Sequence, residues 1–139
     1  MFTDYPLLGV GLDNFLYAYR GRYIQPEAWQ EPHLPHAHNI FLDALTRTGL
    51  FGLAALLAIL FAFFQLTINC LRATRDKPDL RALTVGLLAS MINILAHGMV
   101  DTGYWFVDLG FVFMLTLGVM QALSSNCQTI QNQKADNAD

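Results

Sequence analysis

The stretch "GLFGLAALLAILFAFFQL", Gly49 to Leu66, decides the fold. It has 18 residues and no charged one. At 1.5 Å per residue a helix of that length covers about 27 Å, close to the hydrocarbon core of a bilayer. Two further runs follow. "ALTVGLLASMINILAHGMV", Ala82 to Val100, carries Asn93 and His97; "YWFVDLGFVFMLTLGVMQAL", Tyr104 to Leu123, carries one acid, Asp108. The composition agrees: 54% hydrophobic and 14% charged, against about 25% charged in soluble proteins. The sequence therefore predicts an all-α membrane protein with three transmembrane helices, about 49–66, 82–100 and 104–123. Net charge is −3, and no basic patch points to nucleic acid.

The loops orient the spans. "RATRDKPDLR" holds Arg72, Arg75, Lys77 and Arg81, four of the chain's eight basic residues. The positive-inside rule makes this loop cytoplasmic. Residues 1–48 then form an outer, periplasmic loop segment, and Tyr104, Trp105 and Phe106 fall in an interfacial aromatic belt. The polar stretch 124–139 reads as a disordered cytoplasmic tail. Cys70 and Cys127 lie far apart, form no CxxC pair, and fall near the face where thiols stay reduced. An outer segment of this size needs earlier helices to carry it across. The topology thus predicts the carboxy-terminal part of a larger polytopic helical bundle.

Residues 1–48 hold four of the five prolines. "YPLLGVGLDNF" is apolar but broken by Pro6, Gly9 and Gly11, which predicts a turn or re-entrant piece. From about His38 the pattern becomes helical and is expected to run straight into the first span. Three of the four histidines sit just ahead of it, in "EPHLPHAHNIF". Plain interfacial residues are one reading of that cluster. A metal site built from His33, His36 and His38 is another. Against it, Pro32 and Pro35 restrict the loop, residues two apart at a helix start share no face, and no Cys or HExxH supports the set. No metal and no cofactor is expected. A catalytic reading needs only one imidazole, the usual general base at neutral pH. A helix amino terminus beside it offers free N–H groups that suit a phosphate. Arg20 and Arg22, in "YAYRGRY", would add bidentate contacts. The combination fits a lipid-linked phosphate substrate.

"HNIFLDALTRTGLFG" has the form H-N-x9-G-x-x-G, with His38, Asn39, Gly49 and Gly52 at its fixed places. It resembles the signature of the O-antigen ligase and O-antigen polymerase family of bacterial envelope glycosyltransferases. "YPLLGVGLDNFLYAYR" and "HGMVDTGYWFVDLGFVFMLTLGV" are similar to that family's flanking segments. The resemblance spans residues 4 to 123. It implies a multi-pass protein of the bacterial inner membrane, acting in lipopolysaccharide and cell-envelope biosynthesis. Its partners would be an undecaprenyl pyrophosphate-linked glycan, a lipid A core or polysaccharide acceptor, and the bilayer. It implies His38 as the catalytic histidine and arginine contacts to the pyrophosphate. His36 and Asn39 are further candidates for substrate contact, and Asn39, a preferred N-cap, suits the start of the helix. Two other readings of the chain are a non-catalytic helical module or remnant and a zinc-dependent membrane hydrolase.

Two patterns have a plainer reading. Gly49, Gly52, Ala54, Ala58 and Ala62 make a small-residue stripe that suits helix packing. Ser90, Asn93, His97 and Asp101 fall along one side of the second helix, as in an interhelical polar seam, with Asp101 one turn from His97.

Overall fold

A computed structural model describes residues 1–26, 33–101 and 107–136, without the side chains of residues 107, 108, 134 and 135. The described residues are all helix, turn and coil. The elements are α1 (Phe15–Ala18), a π-helical turn (Tyr19–Tyr23), α2 (Ile40–Ala73), α3 (Pro78–Gly98) and α4 (Val107–Asp136). Within α2, α3 and α4 lie three stretches long and apolar enough to cross a membrane. Their surfaces carry many exposed large apolar side chains, among them Phe61, Ile92, Phe111 and Met114, as expected of helices solvated by lipid. The aromatic group Tyr104–Phe106 and the side chain of Asp108 lie outside the described residues.

The chain divides into two compact units: residues 1–58 with 96–103, and residues 59–95 with 104–139. In the first unit α2 does not run straight. Gly49 has φ 66° and ψ −161°, which breaks the helix into arms 40–48 and 50–73. A break strands carbonyls on one side and N–H groups on the other. The segment 6–11 supplies both sets of partners. Leu50 N–H donates to the Pro6 carbonyl at 2.9 Å and Phe51 N–H to Leu7 at 3.3 Å. Val10 N–H donates to the Thr46 carbonyl and Gly11 N–H to Arg47, both at 2.9 Å. Two glycines allow the approach. Both Gly9 and Gly49 have φ 66°. A Cβ on Gly49 would overlap the Leu7 backbone, and one on Gly9 the Arg47 backbone. The expected straight helix is thus corrected to a broken one, because the loop "LLGVG" docks backbone to backbone into the break.

Gly52 has a related reason. The side chain of Thr48 occupies the place that a Cβ at residue 52 would take. Ala54, Ala58 and Ala62 are exposed, so the small-residue stripe does not form a buried seam within this chain.

In the second unit the buried positions follow a three–four spacing. On α2 and the turn after it they include Leu60, Phe63, Thr67, Cys70 and Thr74; on α4 they include Phe113, Thr116, Met120, Leu123, Cys127 and Ile130. That spacing keeps one stripe of each helix facing its neighbour. The seam runs in parallel, since residues 59–66 line one groove with 117–121, and 66–70 a second with 124–131. The buried threonines add no unpaired polar atom. Thr67, Thr74 and Thr116 donate to the carbonyls of Phe63, Cys70 and Val112, each four residues back, at 2.7–2.8 Å. Ser90 of α3 meets Thr116 at 3.3 Å.

This seam overturns two expectations. Residues 124–136 continue α4 rather than forming a disordered tail, because Leu123, Cys127 and Ile130 carry the buried stripe past the last apolar run. Cys70 and Cys127 are bonded as a disulfide, with Cα atoms 5.2 Å apart across 57 residues. Both occupy seam positions, so parallel packing brings together what sequence distance keeps apart.

Replacing Gly49 by Ala should cost at least about 1–3 kcal/mol, from strain at positive φ plus overlap with Leu7. Thermal unfolding of the detergent-solubilised protein reads this directly. Gly86, with open space around its Cβ position, is the control, and Gly86→Ala should stay within about 0.5 kcal/mol.

Candidate functional site

The first arm of α2 builds the site. Its N-cap is Asn39, whose Oδ1 accepts from Phe41 N–H at 3.0 Å and Leu42 N–H at 3.1 Å. Asn is a preferred cap because its short side chain reaches those unpaired donors. Its amide donates to the Met99 carbonyl at 3.4 Å, tying the helix start to the chain that follows α3.

One turn further on, Asp43 is fully buried and paired with Arg47 four residues later. Arg47 Nε donates to both carboxylate oxygens, at 3.0 and 3.1 Å. The rest of the guanidinium reaches outward. It donates to the Pro35 carbonyl at 2.8 Å and to the Leu12 carbonyl, and it lies 5.6 Å from the centre of the Phe15 ring. The Asp43 carboxylate also accepts from Ala37 N–H at 3.2 Å. A buried ion pair is tolerable only when its remaining donors and acceptors are met, and here backbone groups meet them. Pro35 and Ala37 flank His36, so the pair sets the path of the histidine segment. Sequence reasoning passed over Asp43 and Arg47. The available signal was an acid and an arginine at i, i+4 inside an otherwise apolar helix.

His36 and His38 precede α2 and are not helical, so their side chains are free of helical spacing. Both converge on one acid. His36 Nε2 lies 2.9 Å and His38 Nδ1 3.1 Å from Asp101 Oδ1. An ionised carboxylate only accepts, so each of these nitrogens carries the proton. That leaves Nε2 of His38 with the ring's lone pair. The His36 side chain is 10% exposed and that of His38 53%: one histidine is packed, the other open. Asp101 is brought there by close approach. The Cβ position of Gly98 lies 3.1 Å from Ile40 Cβ, and Asp101 N–H closes the end of α3 on the His97 carbonyl at 3.0 Å.

The remaining residues named from the sequence are placed as follows. His33 is exposed in a turn. Asn93 and His97 are exposed on α3, while Asp101 is turned to His36 and His38; among the described residues the three do not share one set of contacts. Arg20 is exposed on the π-helical turn. Arg22, on the same turn, has its guanidinium 3.7 Å from Asp4 and 5.6 Å from the Tyr23 ring centre. The Tyr23 hydroxyl donates to Asp4. That bond, with Arg22 adding to it, holds the Asp4 carboxyl below its usual range, and it raises the Tyr23 hydroxyl above its own. Tyr5, Gly9, Val10, Ala18, Arg22 and Tyr23 line an open cleft of about 310 Å³.

A family model described as O-antigen ligase matches residues 1–57. The match covers His38, Asn39, Gly49 and Gly52, the residues that carry the resemblance, and that part of the chain is similar to O-antigen ligases. Nothing among curated proteins or solved structures matches the chain. Three helices fit to span a bilayer make the chain a membrane protein, and its first 57 residues carry the ligase likeness.

Arg47→Ala should cost about 3–5 kcal/mol, because it leaves Asp43 buried and unpaired. Arg47→Lys should recover only part of that, since an ammonium cannot serve the carboxylate and two carbonyls from one plane. Thermal melts of both variants beside the wild type give the comparison.

Proposed function

We propose that the chain carries the reacting centre of a glycosyltransferase of the O-antigen ligase type. It would move a glycan from undecaprenyl pyrophosphate to an acceptor hydroxyl, on lipid A core or a growing polysaccharide, at the periplasmic face of the bacterial inner membrane. The observation that carries this reading is the Asp101–His38 hydrogen bond. A carboxylate holding Nδ1–H fixes the tautomer and leaves Nε2 to accept a proton, the arrangement used wherever an imidazole activates a hydroxyl.

In this mechanism the acceptor hydroxyl attacks the anomeric carbon. The new carbon–oxygen bond forms as the bond to the pyrophosphate breaks, and the hydroxyl proton passes to His38 Nε2. Asp101 stabilises the imidazolium that results. The leaving pyrophosphate needs cations. Arg22, at the rim of the cleft beside Tyr5 and Tyr23, and Arg20 on the same turn are the candidates in this chain. Asn39 acts as the helix cap and His36 as the packed partner that helps to seat Asp101.

The test is glycan transfer in cells, with each variant made in the native open reading frame. His38→Ala should lose about 10²- to 10⁴-fold, the usual worth of a general base, at unchanged abundance in the membrane. Asp101→Asn should lose less than His38→Ala, and His33→Ala should change little. Wild-type transfer by His38→Ala would end the catalytic reading. Sidedness has its own check. A membrane-impermeant thiol reagent should label a cysteine placed at Gln25 in intact cells and leave one placed at Asp79 unlabelled.

A further inference from the structure

His36, His38 and Asp101 present three ligand atoms, two imidazole nitrogens and one carboxylate oxygen, that all lie within 4.8 Å of one another. Two of the separations are 2.9 and 3.1 Å. A tetrahedral zinc ion with bonds of about 2.0–2.1 Å holds its ligand atoms about 3.3 Å apart. Two of the three separations are therefore already close to those of a two-histidine, one-carboxylate site, and the third is no more than 4.8 Å. The objection from sequence was that residues two apart share no helical face. It lapses, because both histidines lie ahead of the helix and the third ligand comes from the end of α3.

Hydrogen bonds hold the backbone on either side of the ligands. The Ala37 N–H between the histidines is held by the buried Asp43. The Pro35 carbonyl before them is held by Arg47. Asp101 sits on a closed helix end. Ligands pre-positioned by such hydrogen bonds bind metal better than free loops do.

We propose that these three side chains form a binding site for one divalent transition-metal ion of the zinc class, and that the bound ion arrests His38. Two imidazoles and one carboxylate favour zinc, cobalt, nickel or copper over magnesium or calcium, which prefer oxygen ligands throughout. On binding, the protons on His36 Nε2 and His38 Nδ1 move to each ring's other nitrogen, and the freed lone pairs go to the metal. Nε2 of His38 then carries a proton and has no lone pair left to take one from the acceptor. The metal site stands on geometry alone; the arrest rests on the catalytic reading above.

Cobalt(II) is the probe for geometry and zinc for affinity, both with the purified, metal-stripped full chain in detergent. Titration should give about one ion per chain and the visible absorption of four-coordinate cobalt. His36→Ala, His38→Ala and Asp101→Ala should each weaken zinc by at least about tenfold. His33→Ala and His97→Ala should leave it unchanged. Magnesium should neither bind nor compete. Loss of zinc binding in His33→Ala, equal binding in the three ligand variants, or no binding at all would overturn the site. Transfer activity separates the two claims. Zinc binding with undiminished transfer would refute the arrest while the site stands. A dead His38→Ala variant in a chain that binds no zinc would refute the site while the catalytic role stands.

Discussion

The break at Gly49 is the constraint on which the first unit depends. In a bilayer an unpaired backbone group costs several kcal/mol, so a helix can be interrupted only where other chain atoms take over its hydrogen bonds. Residues 6–11 do this on both sides of the break. They give N–H groups to Thr46 and Arg47 and carbonyls to Leu50 and Phe51. The exchange is backbone to backbone, so it leaves no room for a Cβ at the contact points. That is why glycine stands at both 9 and 49, and why the two sequence segments, about forty residues apart, form one structural motif.

The break also frees the arm 40–48 to take its own direction. That arm carries the Asn39 cap at one end and the Asp43–Arg47 pair at its centre. The pair gathers Leu12, Pro35 and Ala37 by their backbone groups. The histidines then project from a segment held on both sides, and the close contact of Gly98 with Ile40 brings Asp101 within hydrogen-bond reach of them.

In the second unit a different rule operates. There the helices are continuous, their own hydrogen bonds are complete, and packing is by side chains at three–four spacing. Threonines fit such a seam because each can turn its hydroxyl back to its own helix and show a methyl to the neighbour.

The number of spans was legible in the apolar runs, since burial in lipid needs only length and the absence of charge. The N-cap role of Asn39 was legible too, being a local contact. The likeness to O-antigen ligases over residues 1–57 was readable from the spacing of His38, Asn39, Gly49 and Gly52. What escaped was every relation between distant segments. Gly49 looked like a helix-packing residue because its docking partner lies at residues 6–11. The stretch 124–136 looked like a tail because its polar composition hides a buried stripe. Cys70 and Cys127 looked independent across 57 residues. Asp101 was paired on paper with His97, its neighbour by helical spacing, whereas the folded chain turns its carboxylate to His36 and His38, more than sixty residues away. Local chemistry specifies which stretches are helical and membrane-soluble, because hydrogen bonds within a helix and transfer into lipid are properties of adjacent residues. The grouping of two imidazoles around one carboxylate is set by which helix ends touch. That follows from packing at Gly98 and at the Gly49 break, and no spacing along the chain encodes it.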